Sequence, residues 1–387
     1  MTPTRWPSLV LAATLCACGA EDRPAPAVKN PLDADWLDGG STISAEQLDR
    51  VLKLGDGDAE VSALVAEART QLGKGDGRAL AERFSPCPPS ATVEGGITTA
   101  AVSDVWMPLT VEDLSGATFG AETEKKLLEL EKAPNQKARR VRQPDFVLLE
   151  RTSLPEICIA PRLSLANAYE AVVHELVHAL RRDPRAARSL VATAADERAF
   201  LSAFALVPGG EVEAYTFSTR ASIRLGHGGK RTAPLLPSFD ASTGQPRATP
   251  AQLAELIIAP RPKGLGYAQG LLRGVFADAK KNQHEYLSSK RKAFETAQSE
   301  RRTKLASLQK NVEVQTNNLD VHRYHLDLAG ARGDKALGDR SRAGVAEAEK
   351  TLGELRKLIE AARASEKRLT EEITAVTAQM DQLARAP

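Results

Sequence analysis

Between Ser164 and Arg181 apolar residues recur at Ala168, Val172, Leu176, Ala179 and Leu180, the spacing of one helix face, with Pro184 just beyond. A second helical stretch is expected from about Arg185 to Leu206, ended by Pro208-Gly209-Gly210, and a third from Glu211, fading by Gly226. Upstream, Ser44 with Gln47 forms a capping box that opens a helix to about Leu54, and an amphipathic stretch follows from Asp58 to Leu72. Between about Ala91 and Ala160 the pattern turns β-prone, as in Gly96-Ile97-Thr98-Thr99 and Phe146-Val147-Leu148-Leu149, around a helix near Glu122 to Lys132. A small sheet is expected there. Gly226 to Gly244, rich in Gly, Pro, Ser and Thr, reads as a surface excursion.

The last hundred residues differ in kind. Leu287, Phe294, Leu305, Leu308, Val312, Leu319 and Leu326 keep an alternating four-and-three spacing, with Arg291, Gln298, Arg301, Gln315 and His322 at the intervening seam positions. A cleaner series runs from Val345 through Leu352, Ile359, Leu369 and Val376 to Leu383. Gly330, Gly333 and Gly338 interrupt the helix between them, which favours an antiparallel coiled-coil hairpin over one continuous parallel coil, each arm about 60 Å long at about 1.5 Å per residue. The alternative is a parallel coil between subunits.

The start of the chain reads as an address. Arg5 precedes an apolar run, Leu9 to Ala17, too short to span a bilayer and of signal-peptide length. The run ends Leu15-Cys16-Ala17-Cys18-Gly19, which resembles the lipobox of bacterial lipoproteins and implies lipidation at Cys18; the alternative is an ordinary secretory signal cut near Ala20. Either exports the chain. By analogy with Gram-negative lipoproteins, Gly19 after Cys18 suggests the outer membrane, facing the periplasm. Residues 19–42, with Pro24, Pro26 and Pro31, read as a flexible tether. In an oxidising compartment Cys87 and Cys158 pair most economically as a disulfide, two buried free thiols being the alternative.

Composition narrows the partners. The 52 basic and 50 acidic residues leave a net charge of +2, so no single-sign field would draw nucleic acid or a membrane surface. With 26% charged but only 4% aromatic residues, the chain leans toward helix. The lipid is therefore the expected membrane contact, and the coiled coil the expected surface for an envelope protein partner.

The chemistry lies in His174-Glu175-Leu176-Val177-His178. Histidines four apart on a helix share a face, so both imidazoles can reach one cation at the roughly 2 Å that zinc requires. Glu175 beside them is placed to take a proton from a zinc-bound water as general base. With six His in the chain, this motif arises by chance in roughly one such sequence in a hundred. Catalytic zinc normally has three protein ligands, and Ala-Leu-Arg-Arg-Asp-Pro after His178 lacks the further His that marks metzincins.

Residues 145 to 225 resemble the gluzincin branch of the zincin metallopeptidases, where a second helix supplies a Glu in a Glu-x-x-Ala sequence. Glu211-Val212-Glu213-Ala214 matches, with Glu211 in the ligand place. Glu213 projects about 200° away, so only one of the two can ligate. Glu197, with eighteen residues between it and His178, is the rival. The resemblance implies a Zn2+ cofactor, a protein or peptide substrate, and an edge strand that aligns the substrate, for which the run around Cys158 is the candidate. It also makes Tyr215 and His227 available as oxyanion stabilisers, although helix packing and a loop place explain them as well. His322-x-x-His325 reads as packing and surface.

The expected protein is α+β and predominantly helical: signal and lipobox at 1–18, tether at 19–42, a zincin-like domain at 43–270 with a small sheet, and a coiled-coil hairpin at 284–385. The expected activity is zinc-dependent peptide hydrolysis in the cell envelope. The alternative is a non-catalytic scaffold lipoprotein that works through its coiled coil.

Overall fold

The computed structural model describes residues 30–37, 42–88, 95–98, 102–114, 116, 118–132, 136–227, 234–260, 264–265 and 271–385. The signal-like run, Cys18 and residues 19–29 of the tether lie outside the described residues. Within the tether stretch, residues 35–37 are packed rather than free. Trp36 is 1% exposed, and its indole donates to the Ala160 carbonyl at 2.9 Å. An indole buries a large apolar area while satisfying one donor, enough to seat a short segment on the fold.

Helix α1 (Ala45–Leu52) opens on the capping box: Gln47 N donates to Ser44 Oγ and Ser44 N to Gln47 Oε1. Asp58 and Asp76 cap α2 (Ala59–Gln71) and α3 (Gly77–Ala81). Their Leu48, Val51, Leu64, Ala68 and Leu80 enter the main core.

The β-prone region forms two three-stranded sheets. Strands β1 (Phe84–Pro86) and β2 (Gly95–Thr98) belong to one; β3 (Val102–Pro108) belongs to the other and leads into α4 (Val111–Leu114) and α5 (Ala121–Glu131). Strands β4 (Gln136–Arg142) and β5 (Phe146–Ser153) complete the second sheet in the order β3-β5-β4, all antiparallel. The continuous apolar run of β5 follows from burial on both faces. Phe146 and Leu148 meet the C-terminal hairpin, and Val147 packs with Met107 and Leu127 of α5.

Strand β6 (Glu156–Ile159) lies in the middle of the first sheet, parallel to β1 and antiparallel to β2. The Cys158 strand is therefore not the edge expected from the resemblance, because β1 and β2 occupy both its hydrogen-bonding sides; β2 is the edge beside the long helix that follows. Cys87, just after β1, is bonded to Cys158 across this pairing.

That helix, α6 (Leu165–Arg181), starts at Ser164, whose Oγ accepts from Asn167 N. From Leu165 to His178 every residue except Asn167 is buried, so it is a core helix rather than a surface amphipathic one. The expected helix from Arg185 to Leu206 is two, α7 (Ala186–Val191) and α8 (Glu197–Leu206). Asp196 makes the break: its carboxylate accepts from Ala199 N at 2.7 Å and caps α8. Helix α9 (Glu211–Arg224) packs along α6, and α10 (Pro250–Ile258) packs against α8 and α9. The stretch read as a surface excursion is anchored where it is described, since Leu235 and Phe239 are buried against this group.

The hairpin consists of α11 (Leu271–Arg332) and α12 (Lys335–Arg385). At about 1.5 Å per residue the 62 residues of α11 span roughly 93 Å, longer than expected because the helix begins at Leu271 rather than near 284. Only Gly333, with φ +68°, makes the turn, and Asp334 caps α12; Gly330 and Gly338 remain helical. Gly344 accommodates His322, whose ring would lie 2.5 Å from a β-carbon at that position. The buried seam arginine Arg301 donates to Ser365 Oγ and to the Leu109 carbonyl, which ties the seam to the end of β3.

The base of the hairpin shares core with the rest of the chain. Phe294 stacks on Phe146 with ring centroids 4.4 Å apart beside Trp106, and Leu287, Val376 and Leu383 join Phe200 and Phe204. Arg368 grips the Asp145 carboxylate through two bonds of 2.8 and 2.9 Å. Among the described residues, no helix is long and apolar enough to cross a membrane.

Candidate metal centre

Two helices meet at the site because a glycine turn lets them. Gly209 has φ +66°, and a β-carbon there would lie 2.2 Å from the backbone nitrogen of Arg182, at the end of α6. Only glycine adopts this conformation at so close an approach without strain. The turn places Glu211 at the first position of α9, where the helix N-terminus favours a carboxylate, facing His174 and His178 of α6. Buried Ala214 lies in the core shared with α6.

His174 Nε2 and His178 Nε2 are 3.0 Å apart; Glu211 Oε2 is 3.3 Å from the first and Glu211 Oε1 3.3 Å from the second. Ligands about 2.0–2.1 Å from a tetrahedral zinc are separated by about 3.3 Å; each histidine has a different Glu211 oxygen at that distance, and one ligand atom from each of the three residues lies within 4.8 Å of the others. Two imidazoles and a carboxylate are also a donor set that suits zinc. The residues present can hold a metal ion.

Groups around the donors orient them. His178 Nδ1 lies 2.7 Å from the Gly209 carbonyl. Arg182 Nη2 is also 2.7 Å from that nitrogen, but it has Glu211 Oε1 at 2.9 Å to donate to, whereas the carbonyl only accepts. The imidazole proton therefore belongs on Nδ1, which leaves the Nε2 lone pair for a metal. When both His178 nitrogens carry protons, burial opposes ionisation of Glu211, but the charge of His178, the hydrogen bonds from both histidines and the charge of Arg182 outweigh it and hold the carboxyl well below the ordinary carboxylate range; loss of the Nε2 proton is what frees that lone pair for a metal.

Glu175 is buried on α6, at 3% exposure. Tyr215 stands with its ring 4.4 Å from that of His174 in a T-shaped contact, buried on the flank of the donors. Glu213 turns away from the donors: it pairs with Arg181 and accepts from Gly209 N at 2.7 Å, so it holds the turn. Glu197, at the start of α8, is half-exposed and does not join the cluster. Among the described residues, His227 and His325 have no place in it either.

Sequence reasoning missed Arg182, because nothing local distinguishes a cation that turns onto a buried carboxylate from one that faces solvent at a helix end. It also missed Glu170, one turn before His174, which is buried and accepts from Ser222 Oγ of α9 at 3.2 Å. The Pro-Gly-Gly run before Glu211 was the available signal for the close turn. No family model matches the chain, and no curated protein or solved structure matches it.

Proposed function

We propose that the chain is a zinc-dependent metallopeptidase, exported and held at the cell envelope by lipid on Cys18. The observation that carries this reading is the buried cluster of His174, His178 and Glu211, whose ligand atoms lie within 4.8 Å of one another, with Glu175 next to His174 on the same helix. Zinc, when bound, would polarise a scissile carbonyl and bring a water toward ionisation at neutral pH. His174, His178 and Glu211 hold the ion, with Gly209 O and Arg182 orienting them. Glu175 takes the proton of the attacking water as the C–O bond forms and delivers it to the amine nitrogen as the C–N bond breaks. The substrate is a protein or peptide; β2 is the candidate edge to align it. The Cys87–Cys158 bond supports an oxidising compartment outside the cytoplasm, which for this reading is the periplasmic side of the outer membrane.

The test is cleavage of a quenched-peptide library by the chain lacking residues 1–18, beside Glu175→Gln at equal zinc content. Cleavage by the parent, reduced at least about 100-fold in the variant, supports the reading. A second reading is favoured by the burial of the donors, which are 1%, 4% and 7% exposed. Closed sites of this kind hold structural metal. A zinc-loaded parent that cleaves nothing would favour this non-catalytic envelope scaffold, with its hairpin as the working surface.

A further inference from the structure

The distal half of the hairpin carries a second apolar stripe that α12 does not cover. Val314, Val321 and Tyr324 are 48%, 53% and 65% exposed, three of the five large apolar side chains that stand exposed among the described residues. They are spaced seven and three residues apart, and half-buried Leu328 continues the series four residues on. Val314, Val321 and Leu328 each follow a residue of the inward seam, Val312, Leu319 and Leu326, by two positions. Two residues turn a helix by about 200°, which places the stripe on the outer face of α11.

The charge beside the stripe has the same register. Glu313, Asp320 and Asp327 each precede a stripe residue, repeat every seven residues and are exposed. The salt bridges among the described residues leave these three out, although neighbouring Arg323 is paired with Glu349 at 2.9 Å. The opposite flank, Asn318 and His325, brings no carboxylate.

We propose that this face docks a cationic amphipathic helix of an envelope protein partner, with apolar residues on the stripe and Lys or Arg opposite Glu313, Asp320 and Asp327. Apolar core positions at heptad spacing and opposite charge on the flank are the two requirements for pairing helices in one register. An antiparallel second copy of α11 would set acid against acid along the same edge, which disfavours it as the occupant. The proposal does not depend on the metal centre.

The test uses the full chain lacking residues 1–18 and three labelled synthetic peptides: a heptad helix with Leu core and Lys flanks, the same composition scrambled, and the heptad with Glu for Lys. Fluorescence anisotropy should show binding of the Lys heptad alone, weakened about tenfold or more in a Val321→Asp, Tyr324→Ser chain and reduced by salt. Both substituted positions are exposed, and circular dichroism checks that the hairpin is retained. Equal binding of the scrambled peptide, undiminished binding to the variant, or no binding of the Lys heptad would overturn the proposal. So would a concentration-dependent dimer of the parent in sedimentation velocity that the variant abolishes, since a second copy would then be the occupant.

Discussion

Replacing Phe294 with Ala tests whether the hairpin is part of the same cooperative fold as the metal helices. Phe294 is 1% exposed, stacks on Phe146 at 4.4 Å and meets Trp106 edge-on at 5.4 Å. Truncating a buried Phe costs about 3–5 kcal/mol, to which lost aromatic geometry contributes about 0.5–1.5. A loss of about 4 kcal/mol raises the unfolded fraction roughly 10³-fold, at about 1.4 kcal/mol per decade. Leu319→Ala is the contrast, because its cluster contains residues of the two hairpin arms alone. Urea unfolding of the chain lacking residues 1–18 should be followed by circular dichroism and by the fluorescence of Trp36 and Trp106. Phe294→Ala should move both signals together by about 4 kcal/mol, and Leu319→Ala should affect mainly the helical signal. A Phe294→Ala shift below about 1 kcal/mol, or hairpin melting that leaves the fluorescence untouched, would refute the shared core.

Three further outcomes are expected. Glu211→Ala should abolish zinc binding in a dialysis assay, Glu197→Ala should leave it unchanged, and Glu213→Ala should weaken it about tenfold by releasing the Gly209 turn. Replacing Cys87 and Cys158 together with Ala frees a loop of sequence separation 71 and should lower stability by about 4 kcal/mol, read as a lower urea midpoint that reductant no longer changes. Burial disfavours the Asp113 carboxylate, but donation from Gly120 N, Thr123, Thr110 Oγ1 and Thr110 N lowers its pKa to about 2. Its stabilisation is therefore present above its unfolded value of 3.8 and lost as pH falls through about 2. Asp113→Asn should cost about 2 kcal/mol at pH 7, with parent and variant converging toward pH 2 in thermal melts.

Much of the site was legible because its determinants are local. Helix α6 and its two histidines follow from apolar spacing, and Glu211 from the Glu-x-x-Ala match at the start of the helix after Pro-Gly-Gly. The hairpin follows from heptads, which repeat over enough residues to outvote Arg301 and His322 at seam positions. What escaped depends on contacts distant in sequence. The break between α7 and α8 has no Pro or Gly to announce it, only Asp196 acting as a cap. Strand β6 was placed at an edge because nothing in Glu156-Ile157-Cys158-Ile159 reveals that β1 and β2 flank it. Arg182 and the packing of Phe294 on Phe146 likewise arise only once the helices are brought together.

Metal content decides whether His174, His178 and Glu211 form a zinc site. The chain lacking residues 1–18 and its His178→Ala variant should be purified identically, equilibrated with zinc, dialysed and measured by mass spectrometry of the metal, with circular dichroism to establish that both are folded. About one zinc per parent chain and essentially none in the variant are expected. A folded parent that retains no zinc, or a variant that retains as much as the parent, would contradict it.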